Sequence, residues 1–515
     1  MTPLSTPHTR RTQLGWIRWA SVLIALYLVL AVVAWERTLR PDEIWGLLHA
    51  QEPVGDQLDA VRWDLVHPPF MYLVERAWLR AFGRTDDSAK ALPLLINTLT
   101  LGLFTWSASR LTRHWRLVSL LFASTFFRSG EVANLTRMYG LTLLLTVSAF
   151  VFWERWRIRP QPPRLIVWTV TVTLLTYTHY SGILLLAAFV VVGWLYAPRP
   201  LAFGAAVALA TIALLPWLVY SFPIFEARGL QPNLGWVDRE PVHAVLKLPF
   251  FFLSAIPSGW NPFGETPAGE VSGARRPLIV VAALLMAALV VLALPRVRLL
   301  WPPGHTGGDD ARWFWSAVVM VGMPVGLLYA VSELGEPAFD ARFLVAVLPA
   351  FWILVVFLGE FGRRAGVALL YCIVLPWVLI SIAVTVAPSA DASPARQVTT
   401  LLADKVNDGD LILCDSLAGP QVYWEWTRRL GRTGRLEVLY SAKQWRWWAP
   451  VLPQRKWSEI DLHAVERVWF VYRDPNAAAE ARRFFIENGF GVREPAGEGG
   501  RFVLAFDRTV RELPA

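Results

Sequence analysis

The sequence predicts a polytopic α-helical membrane protein with a small α/β domain at its C-terminus. Of its 515 residues, 55% are hydrophobic and only 17% are charged, a composition typical of membrane proteins rather than of large soluble enzymes. Many of its 27 tryptophans flank apolar runs, where indole rings favour the headgroup layer of a bilayer.

About eleven apolar segments recur through residues 1–388 and predict the membrane helices. The first segment follows Arg10, Arg11 and Arg18 and runs from about Trp19 to Trp35, which indicates an uncleaved signal anchor. Several of the segments are shorter than the ~20 residues that a perpendicular span needs, and the weakest candidates are 117–128 and 165–179. The remaining segments lie near 90–109, 138–153, 181–197, 201–222, 277–294, 313–331, 343–358 and 366–387.

The arginines between these segments predict the orientation. If the N-terminus is cytoplasmic, every cytoplasmic loop contains at least one arginine, which is the positive-inside pattern. These arginines are Arg110, Arg113, Arg116, Arg155, Arg157, Arg159, Arg164, Arg199, Arg296, Arg298, Arg312, Arg363 and Arg364. The net charge of +9 therefore indicates contact with anionic membrane lipids and argues against a nucleic-acid partner. The extracytoplasmic parts are then the loops 36–89, 129–137, 223–276 and 332–342, the Tyr177–Ser181 junction and everything after about 388.

The C-terminal part, residues 389–515, alternates short buried-strand patterns with helical patterns. Strands are predicted at Leu411–Cys414, Leu436–Tyr440, Val468–Tyr472 and Phe502–Phe506, and helices at Val422–Leu430 and 476–488. This alternation predicts a small α/β domain with a partly parallel sheet. Residues 1–388 would form the membrane domain.

The first outer loop, 36–89, contains polar groups close to apolar helices. Pro41-Asp42-Glu43 follows the first segment, and His67 precedes two prolines that favour the start of a helix. In Phe70–Phe82 the apolar residues recur at helical spacing, with Glu75, Arg76 and Arg80 opposite. This pattern predicts an amphipathic helix lying in the membrane interface.

Because ionisable side chains occur only at the ends of the apolar segments, polar chemistry is expected at the outer water interface. Their absence inside the membrane argues against an ion-coupled transporter. Each candidate also has a structural interpretation. Asp42 and Glu43 could cap a helix, and His67 could be a structural hydrogen-bonding group.

The candidates near the later segments likewise have both a structural and a functional interpretation. Arg137 and Arg342 could pair with the nearby Glu131 and Asp340, or clamp a phosphate through the bidentate guanidinium. His179, between Tyr177 and Tyr180, could belong to an interfacial aromatic cluster.

The ordered motifs resemble a known family. Pro41-Asp42-Glu43, His67-Pro68-Pro69-Phe70-Met71-Tyr72, Arg137-Met138-Tyr139-Gly140, Thr178-His179-Tyr180 and Ala341-Arg342-Phe343 occur in this order. Together they resemble the bacterial GT-C glycosyltransferases of the protein mannosyltransferase and aminoarabinose transferase type (glycosyltransferase family 39-like). The resemblance covers roughly residues 15–387, and the α/β tail is similar to the extracytoplasmic domain of many bacterial members.

The resemblance implies a site residue by residue. Asp42 would be the catalytic base, with Glu43 beside it shaping the acceptor site. The donor and its phosphate would contact His67, Glu131, Arg137, Tyr139, His179, Tyr180 and Arg342. Relatives often have Glu two residues before the Arg of Arg-Met-Tyr, where this sequence has Leu135. Glu131, four residues earlier, could cover the same helix face.

The implied activity is inverting transfer of a sugar from a polyprenyl phosphate to an acceptor hydroxyl at the outer face of the bacterial inner membrane. The acceptor could be a lipid, a glycan or a protein. No cofactor is expected, although Asp42 with Glu43 could hold a divalent ion. The alternatives are a transporter or flippase of lipid-linked sugars, and a non-catalytic membrane scaffold.

Overall fold

The computed structural model describes residues 8–35, 37–127, 135–229, 272–299, 309–335, 337–386, 394–416, 418–432, 434–439, 452, 454–463, 465–493 and 502–508. The chain divides into two compact units. The membrane unit comprises Met1–Trp35, Asp64–Met71 and Pro93–Ala387. The sheet unit comprises Glu36–Trp63, Tyr72–Leu92 and Pro388–Ala515.

Helices dominate the part of the chain before the sheet. They are α1 His8–Val33, α2 Pro41–His49, α3 Val54–Asp64, α4 Phe70–Phe82, α5 Asp86–Leu111, α6 Trp115–Ser124, α7 Met138–Ile158, α8 Pro162–Thr178, α9 Ser181–Tyr196, α10 Pro200–Arg228, α11 Ser272–Leu299, α12 Asp309–Leu334, a 3₁₀ segment Ala341–Val347, α13 Leu348–Phe361 and α14 Arg363–Val386. Each apolar segment predicted from the sequence overlaps one of these helices, and the segment 343–358 covers most of both the 3₁₀ segment and α13.

Six stretches among the described residues are long and apolar enough to cross a membrane. They are Gly15–Val33, Asp86–Leu111, Pro200–Ala227, Ala311–Leu334, Arg342–Phe361 and Arg363–Ala383. Shorter apolar helices are Trp115–Ser124, Ser181–Tyr196 and Leu284–Val297. The chain is therefore a multi-pass membrane protein, as the sequence predicted.

Aromatic rings pack α7, α8, α9 and α10 together in the membrane unit. The rings of Trp153 and Trp168 lie 4.9 Å and 5.1 Å from the ring of Phe203. Gly193 of α9 makes this approach possible, because a Cβ there would lie 2.0 Å from the Phe203 ring. Any larger residue at 193 would push α10 away from α9.

The sheet unit contains six strands in the order β3-β2-β1-β4-β6-β5. The strands are β1 Leu411–Cys414, β2 Arg435–Leu439, β3 Gln454–Arg455, β4 Arg467–Val471, β5 Phe490–Arg493 and β6 Val503–Arg508. The strands β3, β2, β1 and β4 are parallel to one another, whereas β6 pairs antiparallel with both β4 and β5. The predicted partly parallel sheet is confirmed, and β3 and β5 are additional strands that the sequence patterns did not reveal.

Alternate residues of the central strands pack on opposite faces of the sheet. Ile412 and Cys414 join one apolar cluster, whereas Leu411 and Leu413 join the other. The helix α17, Pro475–Glu487, covers the second face through Phe485. The first face is covered by α15 Pro394–Ala403 and α16 Gly419–Trp424, and also by helices from the first outer loop.

The first outer loop thus packs mainly with the sheet rather than with the membrane helices. Ile44, Leu47 and Leu48 of α2 belong to the same buried cluster as Trp424 of α16. The indole Nε1 of Trp424 donates a hydrogen bond to Asp86 Oδ1 at 2.9 Å. Residues 36–63 and 72–92, which the sequence analysis grouped with the membrane domain, are in the sheet unit.

The helix α4 has the bounds that the sequence predicted, but two of its three charged side chains, Glu75 and Arg76, do not face solvent. Glu75 is fully buried and Arg76 is 6% exposed. Arg76 Nη1 donates to the carbonyl oxygens of Ala50, at 3.4 Å, and of Glu52, and so caps the end of α2. Arg80 is exposed.

Candidate functional site

A buried polar cluster lies in the membrane unit where several helices end. We call Asp64, His67, Arg137 and His179 the histidine cluster. Asp64 and His67 follow one another closely, since α3 ends at Asp64 and Leu65 has a φ of +55°. This left-handed conformation costs a leucine about 1 kcal/mol or more. The turn brings His67 Nδ1 to 2.7 Å from Asp64 Oδ2.

The carboxylate orients the imidazole of His67. Asp64 accepts only, so the short contact places the Nδ1 proton of His67 between the two groups. The exposed fractions of these residues are 8% for Asp64 and 6% for His67, which keeps water from competing for the bond. His67 is therefore held in one orientation and one tautomer when neutral.

Arg137 adds a positive charge beside this pair. It is the N-cap of α7 and has an extended backbone. Its Nη2 lies 3.4 Å from His67 Nδ1, and the residue is 8% exposed. A buried guanidinium next to an imidazole and a carboxylate interacts strongly with any further anion, because screening is weak there.

His179 presents a hydrogen-bond donor from the junction between α8 and α9. The backbone N–H of Ser181 donates to His179 Nδ1 at 3.0 Å, so Nδ1 is the acceptor. The neutral ring therefore carries its proton on Nε2. Among the described residues, the buried Nε2 atom has no hydrogen-bond partner.

His179 also stays neutral. Its burial, and then the positive charges of His67 and Arg137, hold the pKa of His179 well below its usual range. A neutral imidazole with a fixed tautomer is a donor at Nε2 throughout the physiological pH range. A buried donor without an acceptor costs about 1–3 kcal/mol, which a bound acceptor would recover.

Three aromatic rings surround His179. Ring-centre distances are 5.6 Å to His67, 5.8 Å to Tyr139 and 5.8 Å to Phe343. These residues come from the loop before α4, the first turn of α7 and the 3₁₀ segment. Tertiary packing therefore unites four of the five motifs that the sequence analysis selected.

The other residues predicted to contact the sugar donor are Arg342, Tyr180 and Glu131. Arg342 Nε lies 3.1 Å from Asp340 Oδ1, so the pairing with Asp340 that the sequence left open is confirmed. Tyr180 accepts a hydrogen bond from Trp217 Nε1 at 3.0 Å, and its burial raises the pKa of Tyr180 to about 12. Glu131 lies outside the described residues.

In the sheet unit, Asp42 and Glu43 point to different environments. Glu43 is fully buried, and its two oxygens accept from Arg37 at 2.9 Å and 3.0 Å. The backbone N–H of Arg40 also donates to Glu43 Oε2 at 2.9 Å, so the Glu43 side chain satisfies the N-cap backbone at the start of α2. Asp42, in the same turn, is exposed. The helix-cap interpretation therefore applies to Glu43, and the exposed acid is Asp42.

Breaking the Glu43 ion pair is expected to destabilise the protein rather than to affect chemistry directly. Glu43→Ala leaves the Arg37 guanidinium without its bidentate partner, at a cost of about 3 kcal/mol. Thermal unfolding of the full-length protein in detergent should show a clearly lower Tm for Glu43→Ala and a much smaller decrease for Asp42→Ala, whose carboxylate interacts with the dipole of α2. The double variant Arg37→Leu with Glu43→Leu should regain part of the loss. Equal Tm values for Glu43→Ala and the wild type would contradict this structural role.

Sequence reasoning missed Asp64 and did not assign a contact to Phe343. The signal for Asp64 was its position three residues before His67-Pro68-Pro69. Phe343 was visible only as a motif residue next to Arg342. No group of three or more His, Cys, Asp or Glu side chains with the arrangement of a metal site occurs in the part of the chain that the structure describes.

Comparison with known proteins identifies the fold. No family model matches the sequence, and no curated protein matches it. The crystal structure of ArnT from Cupriavidus metallidurans bound to undecaprenyl phosphate matches with a TM-score of 0.55 and 14% identity, over 96% of this chain and 98% of that one. The structure of the same enzyme in the apo state matches with a TM-score of 0.54 and 12% identity, over 95% and 98% of the two chains. The chain therefore has a fold similar to that of ArnT.

Proposed function

We propose that this protein is a glycosyltransferase that moves a sugar from a polyprenyl phosphate to an acceptor hydroxyl at the outer face of the bacterial inner membrane. The observation that carries the proposal is the convergence of Arg137, His67 and His179 in one buried cluster of cationic and hydrogen-bond-donating groups. A phosphate ester at a membrane interface is an anion that such groups suit. The fold likeness to an ArnT bound to undecaprenyl phosphate supports the same donor class.

The reaction is a single displacement at the anomeric carbon. The acceptor oxygen forms the new C–O bond while its proton passes to the Asp42 carboxylate. The bond between the anomeric carbon and the phosphate oxygen breaks, and the polyprenyl phosphate leaves with the electron pair. Such a displacement inverts the anomeric configuration.

The histidine cluster would stabilise the leaving phosphate. Negative charge grows on the phosphate oxygens as the bond breaks, and the Arg137 guanidinium and the Nε2–H of His179 offset it. His67, oriented by Asp64, adds a third group that can bear a positive charge. These contacts strengthen as charge develops, so they act on the transition state more than on the bound donor.

The other site residues have supporting roles in the proposal. Asp42 is the base because it is the exposed acid of the Pro41-Asp42-Glu43 motif, whereas Glu43 fixes the start of α2. Tyr139, Tyr180, Arg342 and Glu131 contact the donor, and the reaction needs no metal. The N-terminus is cytoplasmic and the sheet unit is extracytoplasmic.

A reconstituted assay tests the function against transport. Full-length protein in liposomes receives a polyprenyl-phosphate sugar labelled in the sugar, together with lipid, glycan or peptide acceptors. Transfer releases one polyprenyl phosphate for each labelled acceptor. A flippase would move the intact lipid-linked sugar between leaflets without releasing polyprenyl phosphate, and that result would replace the proposal.

His179 gives a further prediction. His179→Phe keeps a planar ring but removes the Nε2–H donor, so transfer should fall by about 10-fold to 100-fold. Because burial keeps His179 neutral at neutral pH, the loss should be constant between about pH 6 and pH 8. Initial rates across this range, with Phe189→Leu in the distant aromatic core as the control for packing, check the prediction. A loss that disappears at one end of the range would show that a titrating group, not a fixed donor, is responsible.

A further inference from the structure

A cavity lined partly by arginines lies at the other end of α7 from the histidine cluster. It has a volume of about 370 Å³ and lies among α5, α7, α9, α12 and α13 of the membrane unit. Arg155 is 18 residues after Arg137, so it lies roughly 27 Å farther along the helix. The cavity is therefore distinct from the proposed donor site. Arg110, in the last turn of the membrane-crossing helix α5, places the cavity at one end of that span.

Four arginines and one carboxylate line this cavity: Arg110, Arg155, Arg157, Arg312 and Glu154. Glu154 pairs with two of them, Arg157 at 2.6 Å and Arg312 at 3.5 Å. Among the described residues, Arg110 and Arg155 have no carboxylate at salt-bridge distance. The cavity therefore has an excess of positive charge.

Arg110 and Arg155, the two arginines that Glu154 does not neutralise, both lie over the indole ring of Trp106. The guanidinium carbons of Arg110 and Arg155 lie 4.4 Å and 5.0 Å from the centre of its ring. Each cation–π contact is worth only about 0.5–1 kcal/mol at exposed sites, and the two like charges repel each other. An anion bound between the two guanidinium groups would remove that repulsion and form charge-assisted hydrogen bonds.

Most of the other residues lining the cavity are apolar. Val147 and Phe150 of α7, Met320 of α12 and Ile353 of α13 contribute to its wall. Val147 precedes Arg155 by eight residues, roughly 12 Å along the helix. A free phosphate would not contact these apolar side chains. A lipid would contact them, because its phosphate and acyl chain are joined at about this spacing.

We propose that this cavity binds an anionic glycerophospholipid, with its phosphate between Arg110 and Arg155 and an acyl chain along the apolar wall. The arrangement is a basic pocket between membrane helices at the level of the headgroups, where anionic lipids are recognised. The bound lipid neutralises the paired guanidinium groups and holds the end of α5 against the end of α7. The site is independent of the sugar-transfer proposal.

Lipid binding to the purified full-length protein tests the proposal. Native mass spectrometry measures the affinity for phosphatidylglycerol and for phosphatidylcholine with the same chains. We expect preferential binding of phosphatidylglycerol, weakened roughly fivefold for each arginine removed and so roughly 25-fold in Arg110→Gln with Arg155→Gln. The double lysine variant, which keeps the charge, should retain most of the preference.

The matched control is Arg116→Gln with Arg199→Gln. It removes the same charge from arginines outside the cavity lining, one of which also lies on an indole, with Arg116 at 5.2 Å from the Trp115 ring centre. Its affinity for phosphatidylglycerol should equal that of the wild type, and both double variants should keep their Tm in the absence of added lipid. Equal weakening by the control, or equal binding of both lipids by the wild type, would overturn the proposal. Competition by glycerol 3-phosphate or inorganic phosphate at the concentration of the lipid would overturn the assignment to a lipid.

Discussion

Asp42→Asn is expected to reduce sugar transfer by about 10²-fold to 10⁴-fold, the usual contribution of a general base. The amide has nearly the same shape as the carboxylate but cannot accept the proton of the acceptor hydroxyl. Asp42 is exposed, and the cap of α2 depends on Glu43, so folding and membrane insertion should survive. Initial rates with a labelled polyprenyl-phosphate sugar, normalised to the amount of inserted protein, measure the effect.

Asp56→Asn is the matched control. Asp56 is also an exposed acid in the first turn of a helix of the same loop, because it lies at the start of α3. Its replacement changes the same helix-dipole interaction, worth about 0.3–1 kcal/mol, without touching the proposed base. Undiminished transfer by Asp42→Asn, or the same loss in both variants, would remove Asp42 from the mechanism.

Arg137→Gln is expected to reduce transfer by about 10²-fold to 10³-fold, the cost of losing one donor that stabilises transition-state charge. The glutamine amide can still donate a hydrogen bond, but it brings no positive charge to the leaving phosphate. The effect should lie mainly in kcat, because the charge on the phosphate grows during the reaction. Steady-state kinetics separate kcat from the KM for the lipid donor.

Arg137 is buried beside His67, so the folding of its variants needs controls. Arg137→Lys keeps the charge but not the planar fork, and it should retain more activity than Arg137→Gln. Arg159→Gln removes an exposed arginine at the far end of the same helix and should have the activity of the wild type. If Arg137→Gln transfers sugar at the wild-type rate while folded, the histidine cluster does not bind the leaving group.

Local patterns in the sequence were enough to locate most helices and strands. The two prolines before Phe70 and the glycine after Phe82 delimit α4, and Gly83 has the φ of +95° that a helix end often needs. The four residues Leu411–Cys414 form the predicted buried strand. These signals are local because helix caps and side-chain periodicity depend on residues only a few positions apart.

Partners distant in the chain could not be predicted in this way. Glu75 and Arg76 lie opposite the apolar residues of α4, where the sequence pattern predicts contact with solvent. Both are nevertheless buried, because α4 packs against the end of α2. The grouping of α2 with the sheet likewise depends on apolar contacts such as Leu47 with the α16 cluster. Amphipathicity shows that a helix has two sides, but not which neighbour covers the polar one.

By itself, the sequence determined that this is a multi-pass membrane protein with a partly parallel α/β tail. Both hydropathy and the periodic spacing of apolar residues are local properties of the sequence. It also placed the candidate polar residues at helix ends. Only the tertiary structure decided that Arg137 meets His67 across 70 residues of sequence, that Asp64 orients that histidine and that Arg37 holds Glu43. The physical reason is that such contacts form when helix ends pack together in space. No local sequence pattern encodes which helix ends become neighbours.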